Sequence, residues 1–349
     1  MKKTLILLSV FLFLFWGCES STETPPIVEL NKAVIVVNEG GYTQNNSSIS
    51  TYSLEDKTVQ NDVYYNANAK KNLGASANDM VIVGDKGFIA VTVSNKIHVV
   101  KVSDLTSVDS IDFKPYGGPA KIVISGTYGY VTTLNSMLVK FDISSFSVID
   151  TMSVGFKPEG IAISDEKIFI ANSGYGAGTT VTVVDEGTFK IVKSITVRIN
   201  PTNVVSDGND VFVVSTGTYT FNGGDGIGMV TKIDASSMAI LDTLLIGNNP
   251  GRLALGNDKE LYVINGDGIV HVAGATMSII KETLVSGGDV NNIYFTVNAV
   301  GYDRDADLLY LGNPKDYQQN GEVAIFNSSG IEEGRFDVGI SPRAVVFKK

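Results

Sequence analysis

The sequence is poor in the residues on which most enzymes depend. It contains one cysteine and two histidines among 349 residues, which excludes an intrachain disulfide and a metal site built from several thiolates. No Ser/His/Asp grouping and no phosphate-binding glycine motif followed by a helix is visible. His98 and His271 lie within the strand patterns Ile97-His-Val and Val270-His-Val, which favours a structural role over catalysis. The composition therefore predicts a protein that is not an enzyme and that needs neither a cofactor nor a metal.

Charged side chains are also scarce. They make up 18% of the chain, against about 25% in ordinary globular proteins. A deficit of this kind is expected where strands are packed on both faces and form apolar runs instead of alternating patterns. The 37 acidic residues outnumber the 27 basic ones, giving a net charge of −10. This balance argues against nucleic acid or an anionic membrane surface as the main partner.

Helical periodicity is absent, and the chain has instead a repeat of short strands. The stretch from Pro158 to Asn172 holds two β-branched runs separated by a polar turn, which predicts a hairpin of buried strands. Related units begin near positions 78, 119, 158, 201, 250 and 297, with a half-copy at 342, so that the spacing is 39 to 49 residues. A repeat of about 40 to 50 residues with several strands is typical of a β-propeller blade.

The two ends of the chain supply the parts of one further blade. The segment from Ala33 to Asn38 lacks a preceding inner strand, and the segment from Ala344 to Phe347 is an inner strand with no blade of its own. Joining them closes the ring and removes exposed sheet edges. The sequence thus predicts an all-β fold over residues 33–349, a seven-bladed β-propeller with four-stranded antiparallel blades.

The second strands of these units carry a family resemblance. Tyr130-Val-Thr-Thr, Tyr262-Val-Ile-Asn265 and Tyr310-Leu-Gly-Asn313 resemble the Tyr-Val-Thr-Asn repeat of β-propellers. The first blade, with Asn38 to Tyr52 followed by Leu73 to Met80, resembles the opening of propeller lipoproteins of the Bacteroidetes. Some of these capture corrinoids at the cell surface beside a TonB-dependent transporter.

The resemblance implies a non-catalytic surface lipoprotein that captures a corrinoid of the vitamin B12 type and passes it to a TonB-dependent outer-membrane transporter. It does not specify ligand residues. The alternative is a surface scaffold that binds proteins or a glycan. A propeller enzyme of the lactonase, lyase or quinoprotein type is disfavoured by the scarcity of histidine and of metal-ligand clusters.

The N-terminus has the features of an exported lipoprotein. Lys2 and Lys3 precede an apolar run from Leu5 to Phe15, which is too short to span a bilayer and predicts a signal peptide over residues 1–17. Cys18 follows Gly17 and resembles the acylated cysteine of a bacterial lipobox. We expect Cys18 to be lipidated and residues 18–32 to form a flexible tether, so that the protein is anchored by lipid at the outer membrane, exposed at the cell surface. The alternative is a plain secretory signal with an incidental cysteine.

Long loops rich in Gly, Asn and Tyr are expected on one face of the propeller. Connections from the second to the third strand of a blade, and from one blade to the next, emerge on the same face, and propellers bind through such loops. Aromatic planes and amides suit a large, nearly neutral ligand with a polar rim. The alternative for each aromatic side chain taken alone is that it packs its own loop. The predicted ligand-binding residues are Tyr42, Asn45, Asn46, Tyr116, Tyr175, Tyr219, Phe221, Asn249, Arg252, Tyr317, Gln318 and Arg343.

One acidic cluster needs a separate interpretation. Asp303, Asp305 and Asp307 alternate like the ligands of a calcium loop, but the glycine and the terminal glutamate of such a loop are missing. A solvated hairpin turn on the opposite face is therefore favoured over an ion site.

Overall fold

A computed structural model describes residues 29–266, 268–287 and 297–349. The predicted signal peptide, Cys18 and most of the predicted tether lie outside these residues. No helix within the three described ranges is long and apolar enough to cross a membrane.

The described chain forms seven four-stranded antiparallel sheets, which we number as blades 1 to 7 in chain order. The inner strands of blades 2 to 7, followed by that of blade 1, are Ala77–Val83, Pro119–Ser125, Pro158–Ser164, Pro201–Ser206, Pro250–Leu255, Ala299–Asp303 and Pro342–Lys348. The second strands of blades 1 to 7 are Ala33–Asn38, Lys86–Val91, Tyr128–Thr133, Lys167–Asn172, Asp210–Ser215, Glu260–Asn265 and Leu308–Asn313.

The two remaining strands of each blade lie farther from the channel. The third strands of blades 1 to 7 are Ser48–Ser53, Lys96–Lys101, Met137–Asp142, Thr180–Asp185, Gly228–Asp234, Gly268–Ala273 and Asn320–Asn327. The outer strands are Val59–Gln60, Ser107–Asp112, Val148–Ser153, Lys190–Thr196, Ile240–Ile246, Ser278–Val285 and Glu332–Ile340.

The ring is closed as the sequence predicted. The C-terminal strand Pro342–Lys348 pairs antiparallel with Ala33–Asn38, so blade 1 is built from both ends of the chain. Each inner strand also contacts the inner strands of the two neighbouring blades, and these contacts form a closed cycle of seven around a central channel. The prediction of an all-β, seven-bladed propeller is confirmed.

The apolar core is divided among the blade interfaces. Seven clusters of buried side chains are found in the described chain, one between each pair of adjacent blades. The second strands are almost entirely buried, whereas the outer strands are largely exposed. This explains the apolar runs and the low charge content, because a second strand has a blade packed on each of its faces.

One aromatic side chain per blade fills the centre of most interfaces. In blades 2 to 7 the third residue of the second strand is aromatic and fully buried, and the residues are Phe88, Tyr130, Phe169, Phe212, Tyr262 and Tyr310. Ile35 takes this position in blade 1. The Tyr in the Tyr-Val-Thr-Asn resemblance is thus a residue of the core.

The blade 1–blade 2 connection contains an element that the sequence did not predict. The outer strand of blade 1 has two residues, and a five-residue α-helix, Val63–Ala67, follows it. The side chain of Asn68 holds this helix against blade 2, since its amide donates to the carbonyl oxygens of Tyr64 at 2.7 Å and Leu105 at 2.9 Å. Short 3-10 helices also occur at Gly174–Gly176, Thr220–Asn222 and Asn257–Lys259.

Candidate functional site

The strand register defines two faces. In blade 4, Pro158 lies opposite Asn172, which lies opposite Thr180, so the inner strand begins at the same end where the second strand ends. We call this end the loop face; it carries the second-to-third-strand loops of residues 39–47, 173–179, 216–227 and 314–319 together with the connections between blades. The opposite end, with its tight hairpins such as residues 165–166 and 207–209, is the turn face.

A ring of polar side chains surrounds the channel just below the loop face. In six blades the contribution comes from the first or second residue after the inner strand begins, and in blade 7 it comes from the residue just before that strand. The ring consists of Asn78, Asp79, Lys121, Glu159, Thr202, Asn203, Arg252, Asn298 and Arg343. Deeper positions on the same strands are apolar, as in Val81-Ile82, Val123-Ile124 and Ile161 to Ile163, which line a second opening of the channel. The channel therefore changes from polar to apolar from the loop face toward the turn face.

Hydrogen bonds connect this polar ring across blades. Arg343 donates from Nε to Asn78 Oδ1 at 3.1 Å and from Nη1 to Asn298 Oδ1 at 2.9 Å, and it lies 3.7 Å from the Glu39 carboxylate. Lys121 donates to Asp79 Oδ1 at 2.9 Å. These contacts tie the two chain ends and four blades together at the channel mouth, so the ring is a preorganised polar surface.

The ring and the loops above it enclose a cavity of ≈ 430 Å³ at the channel mouth. This volume is within the range of small-molecule sites, about 300 to 1,000 Å³. Four of the predicted site residues line it, namely Tyr219, Asn249, Arg252 and Arg343. The cavity therefore combines an aromatic face, amides and two guanidinium groups.

Burial lowers the pKa values of two cationic side chains in this cavity. Desolvation lowers the pKa of Lys121 to about 8, against the opposing attraction of Asp79. Desolvation likewise lowers the pKa of Arg252 to about 9, and the positive charge of Arg343 adds to this effect. Both cations are thus held in a site that disfavours their charge.

Asn249 organises the longest loop on this face. Its amide donates to the carbonyl oxygens of Thr216 at 3.2 Å and Thr218 at 2.8 Å, and its Oδ1 accepts from the backbone N–H of Thr220 at 3.4 Å. The Arg198–Asp225 ion pair, 3.2 Å, closes the base of the same loop. Asn249 thus positions the loop that places Tyr219 over the cavity, and most of its hydrogen-bonding capacity is already used.

Other predicted residues lie on the loop face outside the cavity lining. Tyr175 is 66% exposed, with its ring 6.1 Å from Phe156 and 4.8 Å from Lys157 Nζ. Tyr116 is half-buried and packs edge-on against Phe113 at 5.8 Å. Tyr116 therefore has the loop-packing contacts of the alternative interpretation, whereas Tyr175 presents an open aromatic surface.

The first blade forms a separate depression. Asn45 and Asn46 line a cavity of ≈ 320 Å³ together with Tyr64 and Tyr65, away from the channel mouth. The Asn46 side chain is engaged within its own loop, since its Oδ1 accepts from the N–H of Gly41 at 2.9 Å. Tyr42 on the same loop is 68% exposed.

The blade 7 loop carries two further predicted residues. Tyr317 is partly exposed, and the Gln318 backbone N–H donates to Asp316 Oδ1 at 2.9 Å, which leaves the amide side chain at the surface. Phe221 lies in the 3-10 helix Thr220–Asn222 of the blade 5 loop; its side chain is outside the described part of the structure.

Sequence analysis missed most of the polar ring. Asn78, Lys121, Glu159, Asn203 and Asn298 line the cavity, and none was predicted to do so. The available signal was the recurrence of a polar residue one or two positions after the start of the inner strand, in Pro-Ala-Lys121, Pro-Glu159 and Pro-Thr-Asn203. Polar residues at a fixed point of an otherwise apolar inner strand indicate a common ring.

The histidines lie away from the channel mouth. His98 Nε2 donates to the carbonyl oxygen of Leu73 at 2.8 Å, and Nδ1 accepts from the Tyr64 hydroxyl at 3.2 Å. Burial lowers the pKa of His98 to about 4. His271 stacks on Tyr262 at 4.7 Å, with Nε2 3.0 Å from Glu260 Oε2.

The carboxylates of the acidic cluster in blade 7 are engaged by protein groups in and around the hairpin. Asp303 accepts hydrogen bonds from the N–H groups of Asp305 and Ala306 and pairs with Lys349, and Asp307 accepts from the hydroxyls of Tyr302 and Ser328. Within residues 29–266, 268–287 and 297–349 no group of three or more His, Cys, Asp or Glu is placed to hold a metal ion.

Comparison with known proteins places this propeller among structurally similar chains of diverse sequence. A functionally unknown protein from Desulfotomaculum acetoxidans DSM 771 superposes with a TM-score of 0.67 at 15% identity, over 91% of this chain and 99% of the other. A quinonprotein alcohol dehydrogenase-like protein from Bacteroides thetaiotaomicron VPI-5482 gives 0.66 at 14%, over 91% and 78%. Kuenenia stuttgartiensis hydrazine synthase gives 0.59 at 15%, over 75% and 86%. At this identity the similarity shows the fold alone.

Sequence comparison identifies a family without an assigned activity. No curated protein matches the chain. The family model described as "Domain of unknown function (DUF5074)" matches residues 32–222, from the tether to the long loop of blade 5. Because this match covers more than half of the chain, the protein is a member of that family.

Proposed function

We propose that this protein is a non-catalytic binding protein that holds a large polar-rimmed small molecule on its loop face, and that the ligand is a corrinoid. The observation that carries the proposal is the cavity at the channel mouth, where Tyr219 and Asn249 lie above a ring of amides and guanidinium groups. Such a surface offers stacking and hydrogen bonding, and a rigid scaffold holds it in place.

The chemistry of a corrinoid corresponds to this arrangement. Its ring is broad, rigid and fringed with amides, and a nucleotide loop hangs below it. A cavity of ≈ 430 Å³ holds one part of such a ligand, so the corrin ring would lie across the mouth beneath Tyr175 and Tyr219. A rigid ligand on a preformed surface loses little conformational entropy, which favours tight binding.

Delivery to a transporter is the second half of the proposal. Lipidation of Cys18 would tether the propeller at the outer membrane, where it would pass the ligand to a TonB-dependent transporter. The exposed aromatic side chains Tyr42, Phe156 and Tyr317 lie on the same face and offer contacts to a protein partner. Aromatic residues are enriched at such interfaces.

The direct experiment is calorimetric titration of the purified protein with cyanocobalamin, with spin-column co-elution of the red ligand as a second measurement. Retention of ligand by wild type and weaker retention by Tyr219→Ala would support the proposal. Asp85→Lys is the matched control, because Asp85 lies on the turn face with its side chain 79% exposed. Absence of retained cobalamin at micromolar protein would overturn the corrinoid proposal.

A surface scaffold is the second candidate function. The exposure of Tyr42 and Tyr317, which do not line the cavity, favours it. Pull-down of outer-membrane proteins with wild type and with the Tyr42→Ala/Tyr317→Ala double variant tests it. Partner capture that depends on these tyrosines, together with failure to bind cobalamin, would favour the scaffold.

A further inference from the structure

Arg252 is an arginine of the channel mouth whose charge is not paired with any carboxylate of the described residues. It lies on the inner strand of blade 6 and lines the cavity at the channel mouth. Its Nη1 donates to the backbone carbonyl oxygen of Arg343. Within the described residues, Arg252 makes no ion pair and no other hydrogen bond, so Nε and Nη2 have no protein acceptor there.

The carboxylates of the channel mouth are already engaged. Asp79 accepts from Lys121 Nζ at 2.9 Å and from the backbone N–H of Ile122 at 3.0 Å. Glu39 lies 3.7 Å from Arg343, and Glu159 accepts from Ser173 Oγ at 3.0 Å. Each acidic group thus has a partner other than Arg252.

Burial and repulsion outweigh the attraction of these carboxylates. Desolvation and the charge of Arg343 are the two largest influences on the pKa of Arg252, and both lower it, while Glu159, Glu39 and Asp79 raise it by less. A partly desolvated cation that forms no ion pair with any of the described residues is costly to the fold. A ligand anion that binds at Arg252 would supply the missing partner.

We propose that Arg252 and Arg343 form an oxyanion subsite at the channel mouth, which binds a carboxylate or phosphate group of the ligand. The Arg252 guanidinium provides the direct contact, because Nε and Nη2, which have no acceptor among the described residues, form a planar fork that matches two oxygens of such an anion. Arg343 and Lys121 provide neighbouring positive charge, and Asn78 and Asn298 hold Arg343 in place. The subsite deepens the proposed binding function, since it requires the ligand to carry an oxyanion.

Titration with inorganic phosphate tests the subsite without any assumption about the whole ligand. The wild-type protein is titrated with phosphate, acetate and chloride at constant ionic strength, and binding is followed by calorimetry and by the shift in melting temperature. We expect phosphate or acetate to bind in preference to chloride. The stronger of the two identifies a phosphate or a carboxylate as the natural group.

Two variants test whether oxyanion binding depends on Arg252. Arg252→Gln should weaken oxyanion binding at least about tenfold, since a charge-assisted contact is lost. Arg304→Gln is the matched control: it also removes an arginine, but an exposed one in the hairpin between the inner and second strands of blade 7, on the turn face, and it should leave oxyanion binding unchanged. Equal oxyanion binding by wild type and Arg252→Gln, or no preference over chloride in wild type, would overturn the subsite.

These experiments distinguish failure of the oxyanion subsite from failure of the corrinoid proposal. Cobalamin binding without any oxyanion preference would leave the corrinoid proposal standing and reject the subsite. Oxyanion binding that depends on Arg252, without cobalamin binding, would support the subsite and reject the corrinoid. Melting temperatures of both arginine variants in the absence of ligand exclude unfolding as the cause of a lost signal.

Discussion

Ile35 and Val346 are antiparallel strand partners, although they come from opposite ends of the chain. Through this pairing the inner strand of blade 1 joins the blade that the N-terminal segment begins. The same strand contacts the inner strands of blades 2 and 7, so the closure of the ring depends on the last residues of the chain.

Deletion of residues 341–349 should open the propeller. The truncation removes the strand Pro342–Lys348 and exposes the edge of Ala33–Asn38, with a loss of several kcal/mol in the free energy of unfolding, as in large core deletions. Thermal and urea unfolding measure it. Removal of Lys349 alone leaves the strand intact but takes away the ion-pair partner of Asp303, so it measures the contribution of that pair separately. A truncated protein with the melting temperature of wild type would contradict closure by this strand.

The central aromatic residue of a blade interface should be critical for stability. Phe169 is fully buried between blades 4 and 5, and Phe169→Ala should reduce the free energy of unfolding by about 3–5 kcal/mol. Phe156→Ala, at a side chain that is 60% exposed, should change it by no more than about 0.5 kcal/mol. Similar unfolding midpoints for the two variants would be inconsistent with this assignment of the core.

Stability should fall as the pH is lowered from 6.5 toward 4, in part because of His98. Its pKa in the folded protein, about 4, lies below the value of about 6.5 in an unfolded chain. Between these values the unfolded state binds the extra proton, so the stabilisation is present at neutral pH and is lost on acidification. The loss attributable to this group reaches about 2 kcal/mol at pH 5.

His98→Gln keeps a donor for the Leu73 carbonyl and cannot titrate. Urea unfolding of wild type and variant at pH 7 and pH 5 isolates the histidine contribution, because the carboxylates are common to both proteins. An equal decrease in stability for the two proteins would refute the assignment to His98.

The aromatic residues of the loop-face loops should contribute to ligand binding and little to folding. Tyr175→Ala and Tyr219→Ala should each weaken cobalamin binding by about 1–3 kcal/mol if they are buried by the ligand. Their melting temperatures should stay near that of wild type, because neither residue belongs to an interface cluster. The prediction fails if these variants bind as wild type does while Asp85→Lys on the turn face loses binding.

Cys18 should carry the lipid anchor. A diacylglycerol together with an amide-linked chain holds a protein stably at a membrane, whereas a single chain does not. Metabolic labelling with a radioactive fatty acid should mark wild type and leave Cys18→Ala unmarked. Equal incorporation into both would exclude Cys18 as the acylated residue.

The fold was predictable because the information that specifies it is local and repeated. Each blade carries its own pattern of two apolar runs and a turn, such as Ile161 to Ile163 and Ile168 to Ala171, and the patterns recur at blade spacing. Closure between the two ends was predictable as well. The segment at Ala344 to Phe347 is an inner strand without a blade, and the strand that begins at Ala33 has no inner strand before it. The helix Val63–Ala67 escaped prediction because five residues are too few to show a helical period.

The candidate site was predictable only in part. The loop face and its aromatic residues follow from strand order, which determines where each connection emerges. The sequence does not tell which loop residues are used up in holding their own loop, as Asn46 and Asn249 are, because that depends on the partners each amide meets in the folded loop.

The sequence by itself determined the number of blades, the closure of the ring and the face that carries the long loops, since all three follow from the repeat. Only the tertiary structure showed that Asn78, Lys121, Arg252 and Arg343, from four different blades, meet around one cavity. The physical reason is that the channel brings equivalent positions of distant repeats to the same depth. The electrostatic state of Arg252 then depends on neighbours that lie tens to hundreds of residues away along the chain.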